Sequence, residues 1–325
     1  MYYVIVNPAS KSGRGRKIWA DLEQIFLQRN IPYQVVFSKG AGHVTRIVAK
    51  LTAPSAGEKE KLPVRLIILG GDGTMNEALQ GIHDFNRISL GYIPTGSSND
   101  LARDLHLPKN PVDILDTILE GQTSRVLDLG VLTYLHTAEE RSRLHADEIS
   151  VTRFFAVSSG IGFDAAVCEE ALSSRFKNTL NKLGLGKLTY LVIALRQLIA
   201  AKSVSCDIYL DDAAEPVHLD RFLFTAFMIH KYEGGGFKFC PTADAADGLL
   251  DLCVVGNIAK PVILAALPTA FFGKHYMFSS IKHYTAAKVT FQSSVPLWVH
   301  TDGEVYMKSD SITVSCLPQK IKLMM

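Results

Sequence analysis

The alternation of apolar and polar positions divides the chain in two. Over the first 130 residues, short aliphatic runs alternate with segments of helical periodicity. Tyr2–Val6 and Tyr33–Phe37 read as strands, with amphipathic stretches over residues 18–28 and 44–51. Residues 66–69 are continuously aliphatic and end in two glycines, the pattern of a strand buried on both faces. A helix over 75–82, a strand over 90–93 and a helix from Asn99 follow. This βαβα order predicts a parallel sheet covered by helices. Ligands of such sheets bind beyond the carboxyl ends of the strands, where every glycine-rich loop of this region falls.

After Gly130 the pattern changes. Residues 154–157, 204–210, 222–229, 249–255, 288–291 and 297–299 are short, β-rich and punctuated by turns, which predicts an antiparallel sandwich. A helical insertion over 179–201 interrupts it, and the charged segment 138–148 reads as a solvated hairpin tip.

Composition adds limits. A chain of 325 residues exceeds the commonest domain size of roughly 100–150 residues, so two domains are expected. Its 47% hydrophobic and 20% charged residues can build a substantial core and exclude disorder. A net charge of +2 argues against a dedicated nucleic-acid binder but leaves room for a local basic face. The five cysteines, at 168, 206, 240, 253 and 316, include no C-x-x-C pair and fit reduced thiols of a cytosolic protein. The chain opens directly on a strand, so no signal peptide is expected. Its longest apolar stretches, 188–195 and 262–272, fall short of the roughly 20 residues that span a bilayer. The expectation is a soluble protein, attached at most to a membrane surface.

Four loops in the first half combine small residues with hydrogen-bonding groups. Asn7-Pro8-Ala9-Ser10-Lys11-Ser12-Gly13, followed by Arg14, Arg16 and Lys17, offers amides and cations to a phosphate, although an ordinary solvated loop reads the same. Gly70-Gly71-Asp72-Gly73-Thr74-Met75-Asn76-Glu77 is more specific. Its glycines allow a sharp turn and a close approach to a ligand, and Thr74 could cap the next helix. Asp72 would repel a phosphate unless a cation intervened, which points to Mg²⁺; otherwise it is a turn or cap residue. Pro94-Thr95-Gly96-Ser97-Ser98-Asn99-Asp100 repeats the small polar strand-to-helix pattern, and alone it reads as an N-cap box with Ser98 or Asn99 capping. Ser38-Lys39-Gly40-Ala41-Gly42-His43 closes the second strand, and His43 reads as structural.

In the second half, Gly234-Gly235-Gly236 precedes a turn carrying Asp244 and Asp247, either hard-oxygen ligands for Mg²⁺ or Ca²⁺ or simply a hairpin turn. Near the end comes His300-Thr301-Asp302-Gly303-Glu304. Asp302-Gly303 makes a turn by itself, whereas Glu304 beyond it could take a proton from a hydroxyl or help organise Mg²⁺.

Together, Asn7-Pro8 with its Gly/Ser loop, residues 70–77, Gly96 to Asp100, the triple glycine, Asp247-Gly248-Leu249-Leu250 and Asp302-Gly303-Glu304 resemble the diacylglycerol kinase catalytic family. The likeness runs in order over nearly the whole chain, and within the family it is to the soluble bacterial lipid kinases, relatives of sphingosine and ceramide kinases. The Gly-Gly-Asp-Gly-Thr loop is shared with NAD kinases and phosphofructokinases; Gly96 to Asp100 and the late Asp-Gly-Glu narrow it.

The resemblance implies an α/β three-layer nucleotide-binding domain with a parallel sheet over 1–130, NAD kinase/phosphofructokinase-like. An all-β sandwich for the lipid substrate would occupy 131–307, and residues 308–325 would pack back on the first domain. ATP would meet Asn7, Ser38, Gly70, Gly71, Asp72, Gly73, Thr74, Asn76, Glu77, Gly96, Ser97, Asn99 and Asp100, with Asp72 essential near the phosphates and Mg²⁺. Asp247, with the carbonyls of Asp244 and Leu249, would hold a structural Mg²⁺. Glu304 would be the proton acceptor with Asp302 beside it, the choice between them being open. Ser38 and Ser97 stand where the family often has threonine and keep the hydroxyl.

The implied activity is ATP-dependent phosphorylation of a membrane lipid hydroxyl, diacylglycerol to phosphatidate first. Sphingoid bases, ceramide-like lipids and phosphatidylglycerol remain open. The expected location is cytoplasmic, peripheral at the inner membrane surface, with no nucleic-acid partner and homodimerisation left open. Residues 175–191 mix cations with aromatic and aliphatic side chains, suiting either an interfacial helix or one packed on the sandwich. The rival readings are an NAD kinase-like enzyme with a soluble acceptor, and a catalytically silent lipid-binding regulator.

Overall fold

The computed structural model describes residues 1–53, 63–121, 124–135, 151–173, 186–202 and 204–325. Strand β1 (Tyr2–Val6) lies between β2 (Tyr33–Phe37) and β3 (Val64–Gly70), with β4 (Ile88–Pro94) beyond β3, all four parallel. Leu66, Ile67, Ile68 and Leu69 are all fully buried, as happens when helices cover both faces of a strand.

Because side chains alternate along a strand, Ile67 and Leu69 serve one face and Leu66 and Ile68 the other. On the first face, Trp19, Leu22 and Phe26 of α2 (Gly15–Gln28) join Ile114, Leu115 and Ile118 of α6 (Pro111–Glu120). Their three- and four-residue spacing makes each an apolar stripe, and each such large side chain contributes about 1.5–3 kcal/mol on burial. On the second face, Val44 and Val48 of α3 (His43–Thr52) and Met75 and Leu79 of α4 (Asp72–Gln80) cover Leu66 and Ile68. Two short helices, α1 (Ser10–Gly13) and α5 (Asp100–Asp104), follow β1 and β4. Helix α6 escaped the pattern reading although its punctuation is clear: Asn110 caps it through Val112 N–H, Pro111 opens it, and Gly121 closes it with φ +62°.

The second half is antiparallel: β5 (Ser124–Tyr134), β6 (Thr152–Phe155), β7 (Ser158–Gly162), β8 (Val204–Leu210), β9 (Val217–Met228), β10 (Leu250–Gly256), β11 (Ile281–Ala286), β12 (Lys288–Thr301) and β13 (Glu304–Met324). Phe155, Phe222, Phe227 and Phe291 fill its core. The long β13 joins the halves. Its first part pairs with β12, its last part with β5, and Leu323 faces Leu90 of β4 in parallel. Ile312 and Val314 therefore sit in the second core while Ile321 and Leu323 sit in the first.

Several elements differ from the pattern. The runs 288–291 and 297–299 are one strand, β12, whose register breaks between Gln292 and Leu297 across Pro296. A proline cannot donate to a ladder, so the strand bulges there instead of ending. Two helices, α7 (Phe163–Ser173) and α9 (Lys260–Ala270), stand among the strands, and α8 (Gly186–Ala200) occupies the later part of the expected insertion. The start of that insertion and segment 138–148 lie outside the described residues. Among the described residues, no helix is long and apolar enough to cross a membrane.

Candidate active site

Three of the glycine-rich loops meet beyond the carboxyl ends of β1, β3 and β4. Asn7 Nδ2 donates to Thr74 Oγ1 at 3.1 Å, the Ser10 and Thr95 hydroxyls are 2.7 Å apart, and Thr95 N donates to the Gly70 carbonyl at 2.8 Å. Asn99 folds back on its own loop, accepting from Gly96 N and donating to Gly96 O. The glycines are explained by contact rather than by φ. A methyl group on Gly71 would sit 2.9 Å from Gly96 Cα, and one on Gly70 would strike the Thr74 side chain. Thr74 is not the helix cap the sequence suggested. Helix α4 begins at Asp72, Gly71 stands at its cap position without a side-chain bond, and Thr74 is buried in the first turn. The positive end of α4 is therefore left to an anion.

Asp72 sits at that end. Its carboxylate accepts from Tyr92 Oη and from Asp100 N, both at 3.2 Å. Burial raises its pKa, and the charge of Asp302 adds to this. Asp100 is pushed up to about 6, first by burial, although Gly235 N–H and Arg103 oppose the shift. Gly235 N donates to Asp100 Oδ2 at 2.8 Å and Arg103 pairs with Oδ1, so α5 is docked on the triple-glycine loop. His230 Nδ1, 2.8 Å from Asp104 Oδ2, adds a second tie. Hard carboxylate oxygens that burial disfavours as anions, beside an uncapped helix terminus, suit a Mg²⁺–phosphate pair better than either ion alone.

The turn between β12 and β13 closes the opposite side. Asp302 (φ +49°) and Gly303 (φ +81°) both take left-handed backbone. The Asp302 carboxylate fixes the turn: Oδ1 accepts from Val157 N and Ser158 N, and Oδ2 accepts from Ala156 N and Asn76 Nδ2. His300 Nδ1 accepts from Gly303 N at 3.1 Å, and its Nε2 lies 3.2 Å from both Asp164 Oδ2 and Glu233 Oε1. Glu304 then follows, with a methyl group on Gly73 falling 2.5 Å from its Oε1. The turn thus lays the Glu304 carboxylate directly against the phosphate-type loop.

Other sequence-derived positions have different company. Glu77 Oε2 accepts from Val44 N at the start of α3, and His43 Nδ1 accepts from Lys39 N. Asn76 is completely buried, bridging α4 to Asp302 and the Phe154 carbonyl. Ser38 continues β2 through a bond from its N–H to the Val6 carbonyl, and Ser97 is exposed on its loop. Asp244 and Asp247 each commit one carboxylate oxygen to a local turn, to Ala246 N and Leu249 N. Behind that turn lies a residue the pattern reading missed. Buried Asp128 accepts from Gly248 N and from Gln319 N, the latter freed where the β13 register breaks. Its signal was an aspartate between two leucines in a strand, and His300 stands in β12 in the same way. Nothing local marked Asp164 or Glu233.

A model of the diacylglycerol kinase catalytic domain matches residues 1–131, and one of the YegS C-terminal NAD kinase beta sandwich-like domain matches residues 156–325. The protein YtlR of Bacillus subtilis is 26% identical over 94% of this chain and 93% of its own length. A Mycobacterium tuberculosis diacylglycerol kinase is 30% identical over 74% of this chain and 70% of that protein. A solved Bacillus anthracis structure covers 99% of this chain and 96% of its own with a TM-score of 0.72 at 18% identity, a likeness of fold. With both halves matched and a relative at 30% identity over 74% of this chain, the chain belongs to the diacylglycerol kinase catalytic family, a family of lipid kinases.

Proposed function

We propose that the protein is an ATP-dependent kinase that phosphorylates a lipid hydroxyl, with diacylglycerol as acceptor and phosphatidate as product. The observation that carries this reading is the Glu304 carboxylate held against Gly73 by a turn whose own aspartate is fully engaged. The uncapped terminus of α4 and the loops around Asn7 and Gly96 would bind the triphosphate, with Ser38 and Ser97 at the rim. Bound Mg²⁺, held through Asp72, would supply positive charge to the phosphates. As the lipid oxygen bonds to the γ-phosphorus and the bond to ADP breaks, Glu304 takes the hydroxyl proton. Asp302 is assigned to holding the turn because four donors already occupy both of its oxygens. Asp247, with the Asp244 and Leu249 carbonyls, would hold a second, structural Mg²⁺ on hard-oxygen donors. The enzyme would work at the inner membrane surface, with nucleotide bound by residues 1–130 and lipid by residues 131–307.

The test is transfer from radiolabelled ATP to a panel of lipids in mixed micelles, with NAD as a soluble control. Label in diacylglycerol, lost in Asp72→Ala and Glu304→Ala, is expected. Label in NAD, or full turnover in either variant, overturns the proposal.

A further inference from the structure

Helix α9 has an unusual composition for its position. Its inner face, Ile263, Ala266 and Ala270, is buried. Its outer face is apolar as well: Val262 and Leu264 are 39% and 45% exposed, and the chain continues into Phe271, Phe272 and Met277 at 49%, 75% and 75%. A helix apolar all round is normally covered all round. Helix α8 extends the surface with Val192, Leu195 and Ile199, the last 76% exposed, and Lys260 Nζ donates to the Ile199 carbonyl at 2.7 Å, joining the two helices. The exposed apolar side chains thus gather on two helices tied by this bond rather than lying scattered singly.

Charge identifies what covers them. The segment that holds this face, residues 252–281, contains two lysines, Lys260 and Lys274, and no aspartate or glutamate, although the chain has 32 acids in 325 residues. Residues 192–206 carry no acid and two cations, Lys202 and Arg196, the latter paired with Glu170 of α7 at 3.1 Å. A second copy docked on this face about a two-fold axis would set lysines against lysines. An anionic lipid surface satisfies both features, apolar side chains at the acyl boundary and cations at the headgroups. The face also leads to the site. The Phe271 and Phe237 rings stack at 4.0 Å, and Phe237 follows the glycine loop whose Gly235 N–H holds Asp100.

We infer that the outer face of α9, with Phe272 and Met277 and flanked by α8, is the surface on which the protein sits on an anionic bilayer. The inference rests on the lipid-kinase reading for its purpose, but binding can be measured without turnover. The full chain is floated with phosphatidylglycerol–phosphatidylcholine vesicles and with phosphatidylcholine alone. Wild type should bind the anionic vesicles, less so in high salt. Phe272→Ser with Met277→Ser should weaken binding about tenfold or more while leaving the melting temperature unchanged, both side chains being three-quarters exposed. Lys274→Glu should weaken it through charge alone. The double variant should phosphorylate a water-dispersed short-chain diacylglycerol at the wild-type rate and bilayer diacylglycerol more slowly. Equal flotation of wild type and double variant, no wild-type binding to either vesicle, or a wild-type dimer that the double variant abolishes each overturns the inference. Intact vesicle binding by this face with no label in any lipid would sink the kinase reading and leave the docking surface standing.

Discussion

Replacing Asp302 by asparagine separates the holder of the turn from the proton acceptor. In the native turn both carboxylate oxygens are acceptors, Oδ1 for Val157 N at 2.8 Å and Ser158 N at 3.1 Å, Oδ2 for Ala156 N at 2.9 Å and Asn76 Nδ2 at 3.0 Å. Burial pushes the Asp302 pKa up, while Asn76 and the three amides favour the ionised form. Asparagine keeps one oxygen and turns an NH₂ toward two donors, which lose their partner in a buried place. At about 1–3 kcal/mol for each unsatisfied donor, and with a charged acceptor lost, the substitution should cost roughly 3–5 kcal/mol. Unfolding entropy of about 2.1 cal/mol/K per residue converts this to a fall of roughly 4–7 °C in melting temperature for a chain of this length. Calorimetry and lipid phosphorylation are then compared with those of Glu304→Gln. The glutamine variant should lose about 10²-fold or more in kcat with far less change in melting. If Asp302→Asn melts like wild type and is nevertheless inactive, the carboxylate is not a clamp, and Asp302 is the proton acceptor.

Asp100 should make stability depend on pH. Its folded pKa is pushed up to about 6, above the ordinary 3.8, so the folded state binds the proton more tightly, and stability should fall as pH rises from about 4 to 6 and then level off. That difference corresponds to roughly 3 kcal/mol, and the slope should lessen in Asp100→Asn when melts are recorded from pH 4 to 7, the remainder coming from Asp72 and Asp302, whose pKa values burial also raises. Gly73→Ala places a methyl against the tip of Glu304, which can swing aside, so kcat should drop about tenfold or more while the melting temperature holds. Gly71→Ala meets backbone at Gly96 Cα instead, and a raised KM for ATP together with lower stability is expected. His300→Leu removes the group between Asp164 and Glu233 and the acceptor of Gly303 N–H, and urea titration should show a loss of about 3–5 kcal/mol.

What the sequence disclosed follows from the range of the forces involved. Tyr2–Val6 was legible to the residue because a strand buried on both faces must be apolar at nearly every position, and Tyr33–Phe37, a partly exposed edge strand, because its aromatic and β-branched residues favour a strand. The glycine loops were legible too, but for a partly wrong reason. Gly70, Gly71, Gly73 and Gly96 do not take positive φ; they are glycines because another chain segment occupies the space of their Cβ atoms. For Gly71 and Gly73 that segment, at Gly96 or Glu304, is distant in sequence, so the loop advertises a close approach without naming what approaches; for Gly70 it is Thr74, four residues on. The same limit hid β13. Its middle, Lys308-Ser309-Asp310-Ser311, is too polar to read as a strand, and it is held by pairing with β12 and β5, partners found only after folding.

The site repeats this logic at higher resolution. Asp72 and Glu304 could be singled out as acids beside glycines, yet their spacing of more than two hundred residues says nothing about distance. Asn76 and Glu77 lie in the most recognisable motif of the chain, and the resemblance assigns them to nucleotide without showing where either side chain points. Folding turns Asn76 to the Asp302 clamp and Glu77 to the first turn of α3. A helix sends successive side chains about 100° apart, so neighbours in a motif are rarely neighbours in a site. What places Glu304 over Gly73 is instead a chain of buried polar contacts through Asp302, Asn76 and His300, each costly to leave unpaired. Buried polar residues in apolar strands are therefore the one local sign of this long-range work, and in this chain Asp128 and His300 carry it.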